Sequence, residues 1–82
     1  MKKILMYMLP DRNKIILSEI EGKEIEYSKD LSESDIKYVN KYYSKLGNNF
    51  QERYDAILKY KSGNVKIPIF FEDISIYFEI EK

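Results

Sequence analysis

The side chains that most often carry out chemistry near neutral pH are missing from this sequence. Its 82 residues include no histidine, cysteine or tryptophan. No histidine base can activate a serine, and no thiolate can attack a substrate or bind zinc. Glu72 and Asp73 adjoin in a predicted turn, but adjacent acids alone are a weak signal for metal binding or acid–base catalysis. We expect no catalytic residue, no metal and no cofactor, although Glu, Lys or Tyr could in principle serve an enzyme.

Tyrosine is the residue that the sequence has in excess, with eight in the chain. Tyrosine joins a rigid apolar ring to a polar tip, which suits protein contact surfaces. Lysine is also abundant, and only two arginines accompany it. This bias fits an AT-rich genome and is common among small phage and archaeal-virus genes. The composition favours a non-enzymatic protein-binding module, such as a phage- or virus-encoded inhibitor or modulator of a host protein.

The charges cancel over the whole chain but are segregated along it. Residues 36–66 carry seven positive and two negative charges, whereas residues 19–35 carry two positive and seven negative charges. The predicted helices are therefore basic and the strands before them acidic. This asymmetry points to charged partner surfaces, of which an acidic protein is the first choice and nucleic acid the second.

A basic aromatic facet is predicted on the first helix. Lys41 and Lys45 lie one turn apart, with Tyr38 and Tyr42 beside them and away from the apolar stripe. Such a facet could contact phosphate groups or an acidic protein. The alternative is an ordinary solvated helix face whose tyrosines shield the edge of the core.

Five acidic residues form a second charged stretch, which comprises Glu19, Glu21, Glu24, Glu26 and Asp30. This stretch could meet a cationic surface, as a nucleic-acid mimic would. The alternative interpretation, which we favour, is that these charges keep an exposed edge strand soluble and unpaired.

Apolar patterning predicts seven elements in the order βββααββ. Strands are expected at 3–9, 14–20, 23–28, 65–71 and 74–80. The first strand is apolar on both faces, which is typical of a central strand. Pro68 cannot donate to a ladder, so its strand is expected at an edge. We predict one α+β domain over residues 1–82, with a mostly antiparallel five-stranded sheet in the order 3-2-1-5-4.

Two helices are predicted to form a hairpin on one face of this sheet. Ser32 and Asp35 have the spacing of a capping box, and Asn49 starts the second helix. Gly47 and Gly63 end the two helices. The buried stripes are expected to comprise Ile36, Val39, Tyr43 and Leu46 on the first helix, and Phe50, Tyr54, Ile57 and Leu58 on the second.

The face of the sheet opposite the helices would carry Phe70 and Tyr77. Exposed aromatic patches of this kind often mark interfaces, so both are candidate partner-binding residues and a homodimer is possible. Alternatively, a loop or the N-terminus covers them. No run reaches the length of a membrane span. The apolar start resembles a signal peptide, but it is short and is better explained as a strand. We expect a cytoplasmic protein.

Overall fold

A single antiparallel sheet with two helices on one face organises the protein. The computed structural model describes residues 1–8, 13–61 and 76–81. The elements in chain order are β1 (Lys3–Met8), β2 (Ile15–Ile20), β3 (Glu26–Tyr27), α1 (Glu33–Tyr43), a 3₁₀ turn (Ser44–Leu46), α2 (Phe50–Lys61) and β4 (Ile76–Glu81). These elements confirm the predicted α+β class, with an antiparallel sheet and two helices.

Within the described residues the sheet has four strands, where five were predicted for the whole chain, and their order is β3-β2-β1-β4. The strand predicted over 65–71, including Pro68 and Phe70, lies outside the described residues. The predicted placement of the last strand beside the first is confirmed, because β1 pairs with both β2 and β4. β3 is shorter than predicted and pairs with β2 through only two residues.

β1 is the central strand because both of its faces are apolar. Ile4 and Met6 are fully buried towards the helices, and Leu5 is buried on the opposite face. A strand with little polar surface on either face is stabilised by neighbours on both edges and by cover on both faces. The apolar run at the start of the chain thus sets the position of every other strand.

A β-bulge in β2 interrupts the regular alternation of its side chains between the two faces of the sheet. Met6 lies opposite Leu17 and Tyr7 lies opposite Ile15, which leaves Ile16 as the extra residue. A bulge places two consecutive side chains on the same face. Ile16 and Leu17 are accordingly both in the core, while Ile15 is exposed.

The predicted capping box starts α1. The Ser32 hydroxyl accepts a hydrogen bond from the Asp35 amide at 3.2 Å, and the Asp35 carboxylate accepts one from the Ser32 amide at 3.3 Å. These bonds satisfy amide groups that the first turn of a helix leaves without partners. The α-helix ends at Tyr43, earlier than predicted, because the last turn before Gly47 tightens into the 3₁₀ turn.

The second helix follows after a close approach at Gly47. A Cβ atom there would lie 2.5 Å from the Cβ of Glu52, so only glycine fits without a shift of the backbone. The Asn49 side chain then accepts a hydrogen bond from the Glu52 amide at 3.0 Å and caps α2, as predicted. The hairpin between the helices is therefore tight.

The core lies between the sheet and the helical hairpin. Five of the residues predicted for the buried helix stripes are buried: Val39, Tyr43, Leu46, Tyr54 and Ile57. Ile36 and Phe50 are half-buried at the margin. The prediction for Leu58 was wrong: this residue is 38% exposed, because the side of α2 that faces the sheet is centred on Tyr54 and Ile57.

Tyr54 provides a test of this core. Its ring stacks on Phe50 with centroids 5.7 Å apart, but its buried hydroxyl has no hydrogen-bond partner among residues 1–8, 13–61 and 76–81. A buried donor without a partner costs stability. We therefore expect Tyr54→Phe to leave the free energy of unfolding unchanged or to raise it by up to about 1 kcal/mol, measured by urea denaturation. Tyr54→Leu, which also removes the ring, should lower the free energy of unfolding. If Tyr54→Phe lowered it by a similar amount, the hydroxyl would have a stabilising partner, against our interpretation.

Candidate functional site

A buried ion pair joins the sheet to the helical hairpin. Glu19 lies on the core side of β2, and Arg53 lies in the first turns of α2; their side chains are 4% and 11% exposed. Arg53 donates from Nε to Oε1 of Glu19 at 2.9 Å and from Nη2 to Oε2 at 2.6 Å. A guanidinium fork on a carboxylate is the strongest ion-pair geometry available to side chains.

Two further contacts complete this network. The Tyr43 hydroxyl donates to Oε1 of Glu19 at 2.8 Å, and Nη1 of Arg53 donates to the Gly47 carbonyl at 3.1 Å. The guanidinium carbon also lies 5.4 Å from the centroid of the Tyr43 ring. Three segments thus meet at one carboxylate: β2, the end of α1 and the start of α2.

The network shifts the pKa of two of its members. Burial, together with the hydrogen bond to the Glu19 carboxylate, raises the pKa of the Tyr43 phenol far above its ordinary value. The hydrogen bond to Glu19 likewise raises the pKa of the Arg53 guanidinium. Both shifts favour the neutral phenol and the charged guanidinium, which are the forms that the geometry requires.

The sequence interpretation missed this network. Glu19 was grouped with exposed acidic residues, whereas it is buried and paired. Two signals could have revealed it. Glu19 lies two residues after Leu17 in the same strand, so both side chains project from the core side of the sheet. Arg53 is one of only two arginines in a lysine-rich chain, and arginine is the residue suited to buried ion pairs.

The four residues predicted for the basic aromatic facet do lie together on α1 and the 3₁₀ turn. The rings of Tyr38 and Tyr42 meet edge to face, with centroids 5.0 Å apart. The ammonium groups of Lys41 and Lys45 lie 5.7 and 5.0 Å from the Tyr42 centroid. Tyr38 is 46% exposed, and both lysines are exposed.

Lys37 extends this surface by another turn and was not predicted as part of it. It is exposed and lies four residues before Lys41, so three lysines follow one another at single-turn spacing. Within the described part of the chain, none of the three forms an ion pair. We call Lys37, Tyr38, Lys41, Tyr42 and Lys45 the Lys–Tyr facet.

Tyr77, one of the two predicted sheet-face residues, lies on the sheet and apart from this facet. Tyr77 is half-buried on β4 opposite Tyr7, with ring centroids 6.1 Å apart. The Tyr7 hydroxyl donates to Glu79 at 3.4 Å on the same face. Phe70 lies outside the described residues, so its predicted place on the same face as Tyr77 stays a prediction.

Neither a metal site nor a membrane-spanning helix is found in the part of the chain that the structure describes. Within residues 1–8, 13–61 and 76–81, no group of three acidic side chains is placed to hold a metal ion. Neither described helix has the length and apolar character needed to cross a membrane. Comparisons with protein families, with characterised proteins and with solved structures gave no match to this chain.

A double-mutant cycle tests whether the ion pair holds the hairpin on the sheet. Arg53→Met would leave the Glu19 carboxylate buried without its partner, so we expect a loss of about 3–5 kcal/mol in the free energy of unfolding. Glu19→Leu with Arg53→Met should recover most of that loss, because no charge is left unpaired. Urea denaturation followed by circular dichroism measures each variant. Arg53→Lys, which keeps the charge but not the fork, serves as a milder variant. Glu19→Leu alone completes the cycle, and a double-variant cost equal to the sum of the two single-variant costs would argue against coupling.

The raised pKa of Tyr43 predicts a loss of stability in alkali. As pH rises, the unfolded chain loses this proton near pH 10, whereas the folded chain retains it. Stability is therefore full below about pH 10 and falls above it. Tyr43→Phe should lower the free energy of unfolding by about 2 kcal/mol at neutral pH. It should also make the fall of stability above about pH 10 shallower. Some slope should persist, because burial also raises the pKa of Tyr27. Equal slopes in urea titrations of both proteins would contradict the assignment.

Proposed function

We propose that this chain is a cytoplasmic, non-enzymatic protein-binding module that docks on an acidic surface of its partner through the Lys–Tyr facet. The observation that carries the proposal is the ladder of Lys37, Lys41 and Lys45, which are exposed and form no ion pair within the described residues. Like charges at single-turn spacing repel each other and destabilise a helix slightly. Carboxylates from a partner would remove that repulsion on binding.

The tyrosines supply the apolar part of such a contact. Tyr38 and Tyr42 hold each other edge to face, so their rings are partly ordered before any partner arrives. Tyrosine is one of the residues enriched at the energetic centres of protein interfaces. Preorganised rings lose less conformational entropy on binding than free ones. The lysines would then speed encounter and favour acidic partners.

The buried network supports this surface from below. Tyr43 belongs to the same helix as the facet, and its hydroxyl is fixed to Glu19 in the core. α1 therefore presents its outer face at a defined orientation to the sheet. A rigid helix face is a better binding platform than a loop, because little ordering is needed on contact.

A module of this kind would act on its partner by covering a surface. The sequence offers no histidine or cysteine for chemistry, so inhibition or modulation by occupancy is the mode that fits. The lysine- and tyrosine-rich composition is of the type common in small phage and viral genes. We therefore place the partner among host proteins with an acidic functional surface.

Nucleic-acid binding by the basic helices is the second candidate. It is favoured by the exposed Tyr38 ring beside lysines, an arrangement on which a base can stack. Tyr42 fits this function less well, since two ammonium groups already lie over its ring. The neutral total charge also gives little long-range attraction to phosphates.

Charge reversal on the facet separates the two candidates. We expect Lys41→Glu with Lys45→Glu to reduce binding of a poly-glutamate peptide by at least about tenfold in fluorescence anisotropy at low salt. The same variant should lose the host proteins that the unaltered chain captures from a nuclease-treated lysate. Lys29→Glu with Lys59→Glu, which changes the net charge equally at two exposed residues off the facet, is the matched control.

Identical capture by the facet variant and the control would remove the facet from the proposal. Tighter binding to a single-stranded DNA oligonucleotide than to poly-glutamate, with a steep dependence on salt, would favour the nucleic-acid function instead. Circular dichroism and urea denaturation of both variants establish that each is folded.

A further inference from the structure

Two surfaces of opposite charge lie on either side of the edge strand β3. One is the lysine side of the Lys–Tyr facet, at Lys37 and Lys41. The other, which we call the acidic edge, runs from the β2–β3 turn into β3 and consists of Glu21, Glu24 and Glu26, all exposed. Lys23 lies within the same segment, so residues 21–26 keep a net charge of −2.

The contacts of β3 show how these surfaces are arranged. The Tyr27 hydroxyl donates to Asn40 of α1 at 2.9 Å, which places β3 beside the middle of that helix. Lys37 lies one turn before Asn40 and Lys41 follows it directly; both lysines are exposed. The register pairs Leu17 with Tyr27 on the core side.

The acidic side chain of β3 projects away from the helices. Ser18 pairs with Glu26 in β2 and β3, and consecutive strand residues alternate between faces. Glu26 therefore projects from the face opposite the helices. Ile25 packs against the core, and Glu24 before it is exposed. The positive and the negative surface thus flank one edge of the molecule, one above the sheet and one below it.

Neither surface is neutralised within the described part of the chain. Asp30, the other acid of this region, is paired with Lys14. Glu21, Glu24 and Glu26 form no ion pair within residues 1–8, 13–61 and 76–81, and neither do Lys37 and Lys41. The protein carries no net charge overall, so uniform repulsion between copies does not oppose their approach.

We propose that a second copy of this chain occupies the lysine side of the facet with its acidic edge, forming a symmetric dimer. A twofold axis running parallel to β3 exchanges the upper and lower sides of the edge. It therefore brings each positive surface onto the negative surface of the other copy, twice per dimer. The inference rests on the proposed function, because Lys41 belongs to the surface that would also meet a foreign partner.

The same arrangement of charges disfavours a dimer in which the β3 strands of two copies pair and extend the sheet. Edge-to-edge pairing of β3 strands uses a twofold axis perpendicular to the sheet, which would set acid beside acid. The edge is also only two residues long and carries a charge at Glu26, features that oppose strand pairing between chains. Association should therefore depend on side-chain charges and weaken with salt.

Complementary charge reversals test the dimer. Lys37→Glu with Lys41→Glu makes both surfaces negative, and Glu24→Lys with Glu26→Lys makes both positive. Asp55→Lys with Glu81→Lys reverses two exposed charges on α2 and β4 as the matched control. Sedimentation velocity measures the mass of each variant in solution. It is run at about 20 mM salt, where charges are weakly screened, and at about 500 mM salt, where they are strongly screened. Circular dichroism establishes that every variant is folded.

We expect the unaltered chain and the control to dimerise at low salt and to dissociate at high salt. Each reversed variant alone should self-associate at least about tenfold more weakly, because like charges would then face each other. An equimolar mixture of the two reversed variants should form a heterodimer tighter than the original dimer. A monomeric unaltered chain at low salt, or a mixture that stays monomeric, would overturn the dimer. Retained poly-glutamate binding in that case would leave the proposed function standing.

Discussion

The structure depends on one carboxylate that must be buried. Glu19 lies on the core side of a strand, and a buried charge is tolerated only when it is paired and hydrogen-bonded. Arg53 and Tyr43 supply three hydrogen bonds to its two oxygens. Because these partners come from the two helices, the sheet and the hairpin have one favourable arrangement. Apolar packing alone would allow the helices more freedom to slide, whereas the guanidinium fork fixes their position.

The orientation of the Lys–Tyr facet depends on this buried ion pair. Tyr43 faces inwards from the same helix whose outer side carries the Lys–Tyr facet. The hydrogen bond between Tyr27 and Asn40 holds the edge strand against that helix. The core network and the edge contact together set the positive surface above the sheet and the acidic edge below it. Both the proposed docking and the proposed dimer use this arrangement.

Local signals made much of the fold predictable. The capping box at Ser32, the doubly apolar first strand and the glycine after the first helix each act within a few residues of chain. The facet was predictable for the same reason, since it depends only on helical spacing. The bulge at Ile16 and the pair of Glu19 with Arg53 were not foreseen. Both are decided by partners distant in sequence: a residue on a neighbouring strand in one case, and a helix 34 positions away in the other.

Native-state amide hydrogen exchange of Arg53→Met, compared with the unaltered protein, tests the central claim most directly. If the ion pair fixes the hairpin on the sheet, α1 and α2 should lose protection by a larger factor than β1, whose pairing with β2 and β4 does not involve Arg53. An equal loss of protection in every element would instead show a general loss of stability. Unchanged protection in both helices would contradict the account outright.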